Sequence, residues 1–532
     1  MEKIQKQGNG HLIAIITMMF LFAMISFVTN MAAPFGNIWG NKYEWSGMMG
    51  NMMNFAAYLF MGIPAGKMLT TVGYKKTALI ALGVGVIGLL IQYLSSITGA
   101  DVTVFSYGSE VEELIDGKVT SVPTTIHVTL NLFIYLLGAF VCGFCVCMLN
   151  TVVNPMLNLL GGGGNKGNQL IQTGGALNSL SGTLTPFLVG ALIGTVTRHT
   201  SMSDVAPLLF IGMAIFIIAF IIISFVTIPE PALERAKAQA KSEKKAEKSK
   251  YSAWSFRHFV LGAVAIFFYV GVEIGIPGEL NFYISKAGEQ GAGILVNGAA
   301  IGGAIASIYW LLMLIGRTLS SAISGKVSTR TQMITVSTTA CVLIIIAIFI
   351  PKNVGMDVPN FIYDPVEKSK EVLKSVDMPE SDIKAFIADP TNKELVKPYE
   401  KALFDEAKVR PESIANMLDV PKVPLSALFL VLCGLCTSVM WGGIFNLCVE
   451  GLGKYTEQAS GIFMMLVVGG GVMPLLQDMV LMPAVGYMQS YWLVVAMVGY
   501  ILFYALIGSK NVNTDIPVEI ENPDGPDLRD SL

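Results

Sequence analysis

The sequence predicts an all-α membrane protein with twelve transmembrane helices in two pseudo-symmetric six-helix bundles. Of its 532 residues, 53% are hydrophobic and only 14% are charged, whereas soluble proteins have about 25% charged residues. Twelve apolar stretches of about 20 residues are long enough to cross a hydrocarbon core about 30 Å thick. Features of the first six stretches recur in the last six, which indicates two related halves.

Six stretches form the predicted N-terminal bundle, residues 1–228, and six form the predicted C-terminal bundle, residues 257–510. The stretches cover residues 11–33, 46–70, 77–97, 128–153, 168–196, 205–228, 257–284, 295–324, 332–350, 425–448, 457–482 and 486–508. We interpret the first as a retained helix and not as a cleaved signal peptide, because it is long enough to span a membrane.

Successive stretches alternate in direction, so the N-terminus, the segment 229–256 and the tail 511–532 fall on one side. The linker 229–256 is the most basic segment of the chain, and the positive-inside rule therefore places this side in the cytoplasm. We expect a bacterial-type inner membrane protein with both termini cytoplasmic. The acidic, proline-containing tail is predicted to be a disordered cytoplasmic segment.

Two connections on the opposite, outer face are long. The insert 98–127 is polar and acidic, and the insert 351–424 is charged with short helix-like patches such as PYEKALFDEAK. One interpretation is a solvated cap over the outer mouth. The other is a surface on which a partner docks.

An internal repeat relates the two halves. Asn154 is followed by Gly161, and Asn446 is followed by Gly453, with a spacing of seven residues in both cases. A proline follows in the next stretch of each half, as Thr185-Pro186 and Met473-Pro474. Parallel six-helix repeats joined by a basic loop predict an alternating-access transporter, with its solute site between the halves.

Four stretches resemble a known family. PAGKMLTTVGYKK has the glycines and basic residues of the gating signature of the major facilitator superfamily, at Gly66, Gly73, Lys75 and Lys76. Together with NPMLNLLG/ALNSLSGTLTP, FFYVGVEIGI and FNLCVEGLGKYTEQAS, it is similar to the fucose/galactose/glucose:proton symporter family. The resemblance implies import of a monosaccharide or sugar derivative together with a proton, and a gate at the four residues named.

The sequence departs from this family at three places. The Asp-Arg pair of the gating signature is replaced by Thr70-Thr71. The aspartate and glutamate that the resemblance associates with sugar and proton binding are Asn30 and Asn150, and the fifth-span glutamine is Gly175. Because asparagine can bond a hydroxyl but cannot carry a proton, we expect polar recognition at these positions and proton coupling elsewhere.

The seventh stretch contains FFYVGVEIGIPGEL, with two carboxylates in an apolar segment. Glu273 lies near mid-span, where ionisable residues usually mark the transport pathway, so we predict that it couples a proton to transport. The alternative is a structural glutamate that is bonded to a neighbouring helix or kept neutral throughout. Glu279 is predicted at the solvated outer rim, and Gly275, Pro277 and Gly278 are predicted to form a gate hinge.

Arg317 in the eighth stretch has two interpretations. It is either the charge partner of Glu273 or a ligand for a substrate oxygen, or else its side chain extends to the cytoplasmic interface about 12 Å away. Asp478, late in the eleventh stretch, is predicted at the outer rim.

Sugar recognition requires amides for hydroxyl groups and aromatic faces for C–H groups. Tryptophans at mid-span are not explained by the interfacial aromatic belt, although they can equally serve packing. The predicted substrate-binding residues are Asn30, Asn150, Asn178, Asn281, Asn446, Trp310 and Trp441.

Other classes of protein fit the sequence less well. The loop GGGGNKG lacks the Gly-Lys-Ser/Thr ending of a phosphate-binding loop, and the four histidines lie at span ends. We expect no enzymatic activity, no cofactor, no metal and no nucleic acid; the expected partners are a small solute, a coupling proton and lipid. The alternatives are a sodium-coupled or uncoupled carrier of another solute, and a non-transporting sensor or scaffold.

Overall fold

The computed structural model describes residues 2–115, 117–193, 201–230, 233–234, 237, 251–285, 291–294, 298–407 and 409–518. The predicted linker 229–256 and tail 511–532 therefore lie largely outside the described residues. We call the side on which the sixth span ends and the seventh begins the linker face. The opposite side, where both inserts lie, is the insert face.

Twelve spans cross between these faces. In the N-terminal bundle they are α1 (Glu2–Lys42), α2 (Met49–Thr71), α3 (Tyr74–Ile97), α4 (Leu130–Leu160), α5 (Gly164–Ile193) and α6 (Ala206–Phe225). In the C-terminal bundle five spans are single helices: α7 (Arg257–Ser285), α8 (Gly298–Ile323), α9 (Thr329–Phe349), α13 (Ser426–Val449) and α17 (Tyr487–Phe503). The span before α17 consists of three helices, α14 (Thr456–Leu466), α15 (Gly469–Leu476) and α16 (Met482–Val485). The labels α10–α12 belong to helices of the second insert, described below. This architecture confirms the predicted twelve-helix membrane fold.

Within the residues whose side chains the structure describes, ten of the spans are recognised by length and composition alone. The remaining two are α2 and α5. Both line the contact between the bundles. Asn168 of α5 donates a 3.1 Å hydrogen bond to Ser324 of α8, and Gly66 of α2 lies against Gly461 of α14, with no room for a Cβ. At these two positions, polar and small residues of α2 and α5 therefore face protein and not lipid.

Equivalent contacts hold the two bundles together internally. In the N-terminal bundle, Lys75 Nζ at the start of α3 donates to the Ser224 carbonyl at the end of α6, at 2.7 Å. In the C-terminal bundle, Arg330 Nε at the start of α9 donates to the Ala505 carbonyl just after α17, at 2.8 Å. A basic side chain thus satisfies the carbonyls of the last turn of the bundle's sixth helix in both halves, as expected for an internal repeat.

Both inserts have defined structure. The first is an antiparallel hairpin of β1 (Thr103–Ile115) and β2 (Lys118–Thr129). The second contains β3 (Gly355–Asp357), α10 (Pro365–Ser375), α11 (Glu380–Ala388), α12 (Glu400–Ala407) and β4 (Lys422–Pro424), around a small apolar core of its own. Arg410 of this insert donates to both carboxylate oxygens of Glu112 in the hairpin, at 2.8 and 2.9 Å. The inserts of the two halves therefore touch each other on the insert face.

The segments that flank the linker are bonded to the bundles. Glu230 accepts hydrogen bonds from the backbone N–H groups of Tyr74 and Lys75, at 2.5 and 2.9 Å. Residues 511–518, the start of the predicted tail, pack on the C-terminal bundle: Asn513 accepts from the Arg257 backbone at 2.9 Å, and Val518 accepts from the Lys454 backbone at 3.2 Å.

The helix is not broken at the predicted hinge of the seventh span, since α7 continues through Pro277 to Ser285. The eleventh span is the discontinuous one: α14 ends at Leu466, and α15 begins at Gly469. The glycines there allow a close approach, because Gly469 lies directly against the Phe267 carbonyl of α7, with no room for a Cβ. Pro277 does not interrupt α7, because neighbouring helices pack against this helix on several sides.

Candidate functional site

A buried ion pair joins two helices of the C-terminal bundle. Arg317 of α8 and Glu273 of α7 are 3.1 Å apart, and their side chains are only 7% and 12% exposed. The structure thus places Arg317 beside Glu273, as one of the two interpretations predicts, and not at the membrane interface. Separating such a pair would leave an uncompensated buried charge, at a cost of about 3–5 kcal/mol.

Arg317 also reaches across to the N-terminal bundle. Its Nη1 donates to the Gly175 carbonyl at 3.1 Å, to Asn178 Oδ1 at 3.3 Å and to Ser179 Oγ at 2.8 Å, all on α5. A Cβ on Gly175 would lie 3.2 Å from Arg317 Cδ. The glycine that replaces the family's glutamine therefore provides the space that the guanidinium stem occupies.

The surroundings of Glu273 come from both halves. Tyr269, one helical turn earlier on α7, lies beside the carboxylate and is fully buried. Tyr58 of α2 is within electrostatic range of Glu273, and its hydroxyl accepts a 3.0 Å hydrogen bond from Asn150 Nδ2 of α4. Asn150, predicted as a substrate ligand, is thus linked through Tyr58 to the neighbourhood of the predicted coupling carboxylate.

A second group of polar and aromatic side chains adjoins this centre. Trp441 Nε1 of α13 donates to Asn154 Oδ1 of α4 at 3.0 Å, and the Trp441 ring lies 6.2 Å from that of Tyr269. Asn154 Nδ2 donates in turn to the Asn150 carbonyl at 2.8 Å. The structure therefore brings together Glu273, Arg317, Asn150, Asn178 and Trp441.

The other predicted ligands lie away from this centre or have other partners. Asn30 donates to the Ser26 carbonyl of its own helix at 2.8 Å. Asn446 lies towards the linker face, where it donates to Thr329 and accepts from Asn158, at 3.1 and 3.2 Å. Trp310 packs edge-on against Tyr309, with ring centroids 5.6 Å apart.

Two predictions concern residues near the insert face: Asn281 as a substrate ligand, and Glu279 at a solvated rim. Asn281 is half-buried, two residues beyond Glu279 on α7. Glu279 was expected at a solvated rim, and this expectation is wrong, because the residue is only 1% exposed. Helix packing against α17 encloses it: the Tyr491 hydroxyl donates to the Ile276 carbonyl at 3.0 Å. Asp478 is half-buried beside it.

The predicted gate residues lie on or near the linker face. Gly66 forms the close crossing with α14 described above. Gly73 has φ 90°, a conformation that favours glycine, and the Glu230 carboxylate occupies the space beside it. Glu230 thus places a negative charge at the N-terminus of α3, where the helix dipole favours it, although the signature's aspartate is missing. Lys75 binds the α6 carbonyl, and Lys76 is exposed.

The predicted hinge residues Gly275, Pro277 and Gly278 lie within the continuous helix α7. A Cβ on Gly275 would lie 3.3 Å from Gln477 Oε1, and one on Gly278 would lie 4.0 Å from the methyl of Met48. Both glycines are therefore at contacts with other helices, while their function as a hinge stays a prediction.

Sequence reasoning missed Tyr58, Tyr269, Asn154 and Ser179. The sequence could have indicated Tyr269, because residues four apart share a helix face and Tyr269 precedes Glu273 by four residues. No sequence signal marks Tyr58 or Ser179, which reach the centre from α2 and α5 only through packing of the two bundles.

Two six-helix halves with a polar, charged centre between them define a membrane transporter of the two-bundle type. The chain belongs to the Major Facilitator Superfamily, whose family model matches residues 13–360.

The individual relatives have low sequence identity to this chain. A glucose/galactose transporter of Brucella abortus is 23% identical over 514 residues, which cover 95% of this chain and 96% of the relative. Among solved structures, the E. coli fucose:proton symporter FucP is similar with a TM-score of 0.61 and 15% identity, over 94% of this chain and 100% of FucP. The proton:xylose symporter XylE is similar with a TM-score of 0.53 and 10% identity, over 95% and 96% of the two chains. The two structural likenesses concern the fold alone.

Proposed function

We propose that this chain is a secondary active transporter that imports a monosaccharide or close derivative by proton-coupled alternating access. Membership of the superfamily supports transport, and the glucose/galactose transporter of Brucella abortus supports a sugar as the solute. We also propose a bacterial-type inner membrane location with both termini cytoplasmic, because the basic residues Lys75, Lys76 and Lys326 share one face. The observation that carries the proposal is the bonding of Arg317 to Glu273 and to α5 at once.

Proton coupling follows from this double attachment. While Glu273 is ionised, it holds one arm of the guanidinium at 3.1 Å, and the other arm bonds α5 of the opposite bundle. A proton on Glu273 removes the negative charge, so the charge-assisted bond is lost and Arg317 is free to rearrange. The protonation state of one carboxyl is then linked to the contact between the bundles, which is the contact that alternating access must change.

Sugar binding is supported by the side chains beside this pair. Asn150 and Asn154 provide amide groups, which both donate to and accept from hydroxyls. Trp441 and Tyr269 provide neighbouring aromatic faces. A sugar that displaced the Trp441–Asn154 hydrogen bond would replace a bond between the two bundles with its own contacts. Sugar binding would thereby change the contact between the two halves.

The test is uptake by purified protein in lipid vesicles, with labelled glucose, galactose, fucose and xylose, with and without an imposed pH gradient. Native protein is expected to accumulate at least one sugar only when the gradient is present. Glu273→Gln is expected to keep counterflow exchange but to lose gradient-driven accumulation. The matched control is Glu380→Gln, an exposed glutamate on α11, which should behave as native protein.

Other results would contradict the proposal in distinct ways. Accumulation driven by a sodium gradient instead would indicate a sodium-coupled carrier, and counterflow without any accumulation would indicate an uncoupled one. Absence of counterflow for every solute tested would favour a sensor or scaffold. Normal accumulation by Glu273→Gln would refute the assignment of Glu273 as the coupling group while leaving transport itself intact.

A further inference from the structure

Glu279 is a second buried carboxyl on α7, separate from the Glu273–Arg317 pair. It follows Glu273 by six residues, about 9 Å along the helix towards the insert face, and the residue is only 1% exposed. An ionised carboxylate at such a position is costly unless a cation or hydrogen-bond donors compensate it.

The described residues provide no such compensation. No described lysine or arginine pairs with Glu279, and its Oε2 is buried without a hydrogen-bond partner among these residues. Arg317, an embedded cation of this bundle, is already bonded to Glu273 and to α5.

Gln477 presents a second unsatisfied acceptor to the same face of α7. Its Nε2 donates to Ser490 Oγ at 3.1 Å, and that hydroxyl donates its own proton to the Tyr487 carbonyl at 2.7 Å. The amide orientation is therefore fixed, and Oε1 is the atom left buried and unpartnered. Oε1 lies 3.3 Å from the position of a Cβ on Gly275, one helical turn before Glu279.

The backbone around Gln477 is also unusual. Residues Gln477–Leu481 form a π-helical turn within the eleventh span, and such turns are frequent at functional sites. Tyr491 fixes the adjoining α17 against α7 through its bond to the Ile276 carbonyl, so both acceptors lie in a packed region.

We propose that Glu279 and Gln477 form a proton-binding site, in which Glu279 is a neutral carboxylic acid that donates its hydrogen to Gln477 Oε1. One proton then removes the buried charge and supplies the donor that both oxygens lack. The bound proton comes from solution, and no other group changes its bonding.

The neighbouring ionisable groups add no positive charge. Asp478 of the π-helical turn and Tyr491 of α17 are within electrostatic range of Glu279. On α8 and α13, Tyr309 and Cys433 are instead within range of Tyr491. Among the described residues, this side of α7 therefore presents only acidic or neutral groups to Glu279, and a proton is the occupant that they favour.

The site goes beyond the coupling proposed at Glu273 and is independent of it. The two carboxyls differ in their surroundings, since Glu273 has a guanidinium at 3.1 Å whereas Oε2 of Glu279 is buried without a partner among the described residues. The proposal therefore assigns a proton to Glu279 and an ionised carboxylate to Glu273 in the state described by the structure. The test is accordingly made on the protein without sugar.

The first measurement is infrared absorption of the purified protein in lipid vesicles at neutral pH. Native protein is expected to show the C=O stretching band of a protonated carboxylic acid, and Glu279→Gln is expected to lose it. The glutamine variant supplies an N–H donor to Gln477 and should fold. Glu380→Gln, at an exposed position, is the matched control and should keep the band. Identical spectra for native protein and Glu279→Gln would overturn the proposal.

A second measurement needs no variant. Dicyclohexylcarbodiimide is an apolar reagent that adds to protonated carboxyls in apolar surroundings, and peptide mass mapping then locates the adduct. The label is expected on Glu279 and not on Glu273 at neutral pH. Labelling of neither glutamate, or of Glu273 alone, would overturn the proposal. Loss of the infrared band on addition of NaCl would also overturn it, since the site would then hold a cation in place of the proton.

Discussion

Replacement of Arg317 by lysine is expected to loosen the contact between the two bundles while it preserves the ion pair with Glu273. A lysine ammonium is a compact point charge, whereas the arginine guanidinium is a fork that bonds several groups at once. In the structure that fork bonds Glu273 with one nitrogen and three groups of α5 with another. Lysine can follow the carboxylate, but it cannot also retain the bonds to α5.

The size of the effect follows from those bonds. The contacts to Ser179 at 2.8 Å and to Gly175 at 3.1 Å have good distances, and that to Asn178 at 3.3 Å is weaker. A hydrogen bond to a charged group contributes about 1.5–3 kcal/mol, so loss of the two better bonds is taken as about 3 kcal/mol. That free energy corresponds to roughly a 100-fold shift in the equilibrium between closed and open arrangements of the bundles.

The assay is electron–electron spin-label distance measurement across the linker face. Labels are attached at Lys67→Cys in the N-terminal bundle and Lys326→Cys in the C-terminal bundle, both of which are exposed. Six of the seven native cysteines are buried, and the half-buried one, Cys341, is replaced by serine. Native protein should give one short distance, and Arg317→Lys should add a longer one that dominates.

The matched control is Arg330→Lys. Arg330 also lies near the linker face, but it bonds the Ala505 carbonyl within its own bundle. This variant should leave the distance between the bundles unchanged. If Arg317→Lys gives the native distance distribution, the bonds to α5 do not hold the bundles together and the reasoning fails.

Three further predictions concern other contacts. Gly461→Ala should lower the melting temperature by several degrees, because the new Cβ would lie 2.8 Å from the Gly62 carbonyl and overpacking costs about 1–3 kcal/mol; Gly303→Ala, with nothing within 4 Å, should not. Glu230→Ala should cost about 1 kcal/mol in thermal unfolding, because it removes the cap of α3; an unchanged melting temperature would contradict this. Arg410→Ala should change stability by at most about 1 kcal/mol yet increase hydrogen exchange in the β1–β2 hairpin, and high salt should have the same effect on native protein.

Much of the architecture follows from the sequence because lipid imposes a simple rule. Every backbone polar group in the hydrocarbon region must be satisfied within its own segment, so apolar length alone predicts a helix. The spans α2 and α5 were predicted in the same way as the others, as the apolar stretches 46–70 and 168–196. The insert helices were also indicated by composition, as in PYEKALFDEAK within the segment 351–424.

The break in the eleventh span could not be predicted from the sequence of that span alone. Pro277 and its glycines gave a stronger local signal for a break than Val467, the residue that follows the end of α14. The outcome depended on neighbours: Gly469 lies against the Phe267 carbonyl, and this close approach is a property of two helices together. A single-helix pattern contains no information about it.

The sequence by itself determined the membrane fold, the two halves and the short set of embedded ionisable residues, because each of these depends on local composition and on the cost of charge in lipid. The tertiary structure decided which of those residues meet. It paired Glu273 with Arg317, gave the space of Gly175 to the guanidinium, and buried Glu279. Such outcomes depend on the rotation and depth of packed helices, which small differences in side-chain fit determine and which no single segment encodes.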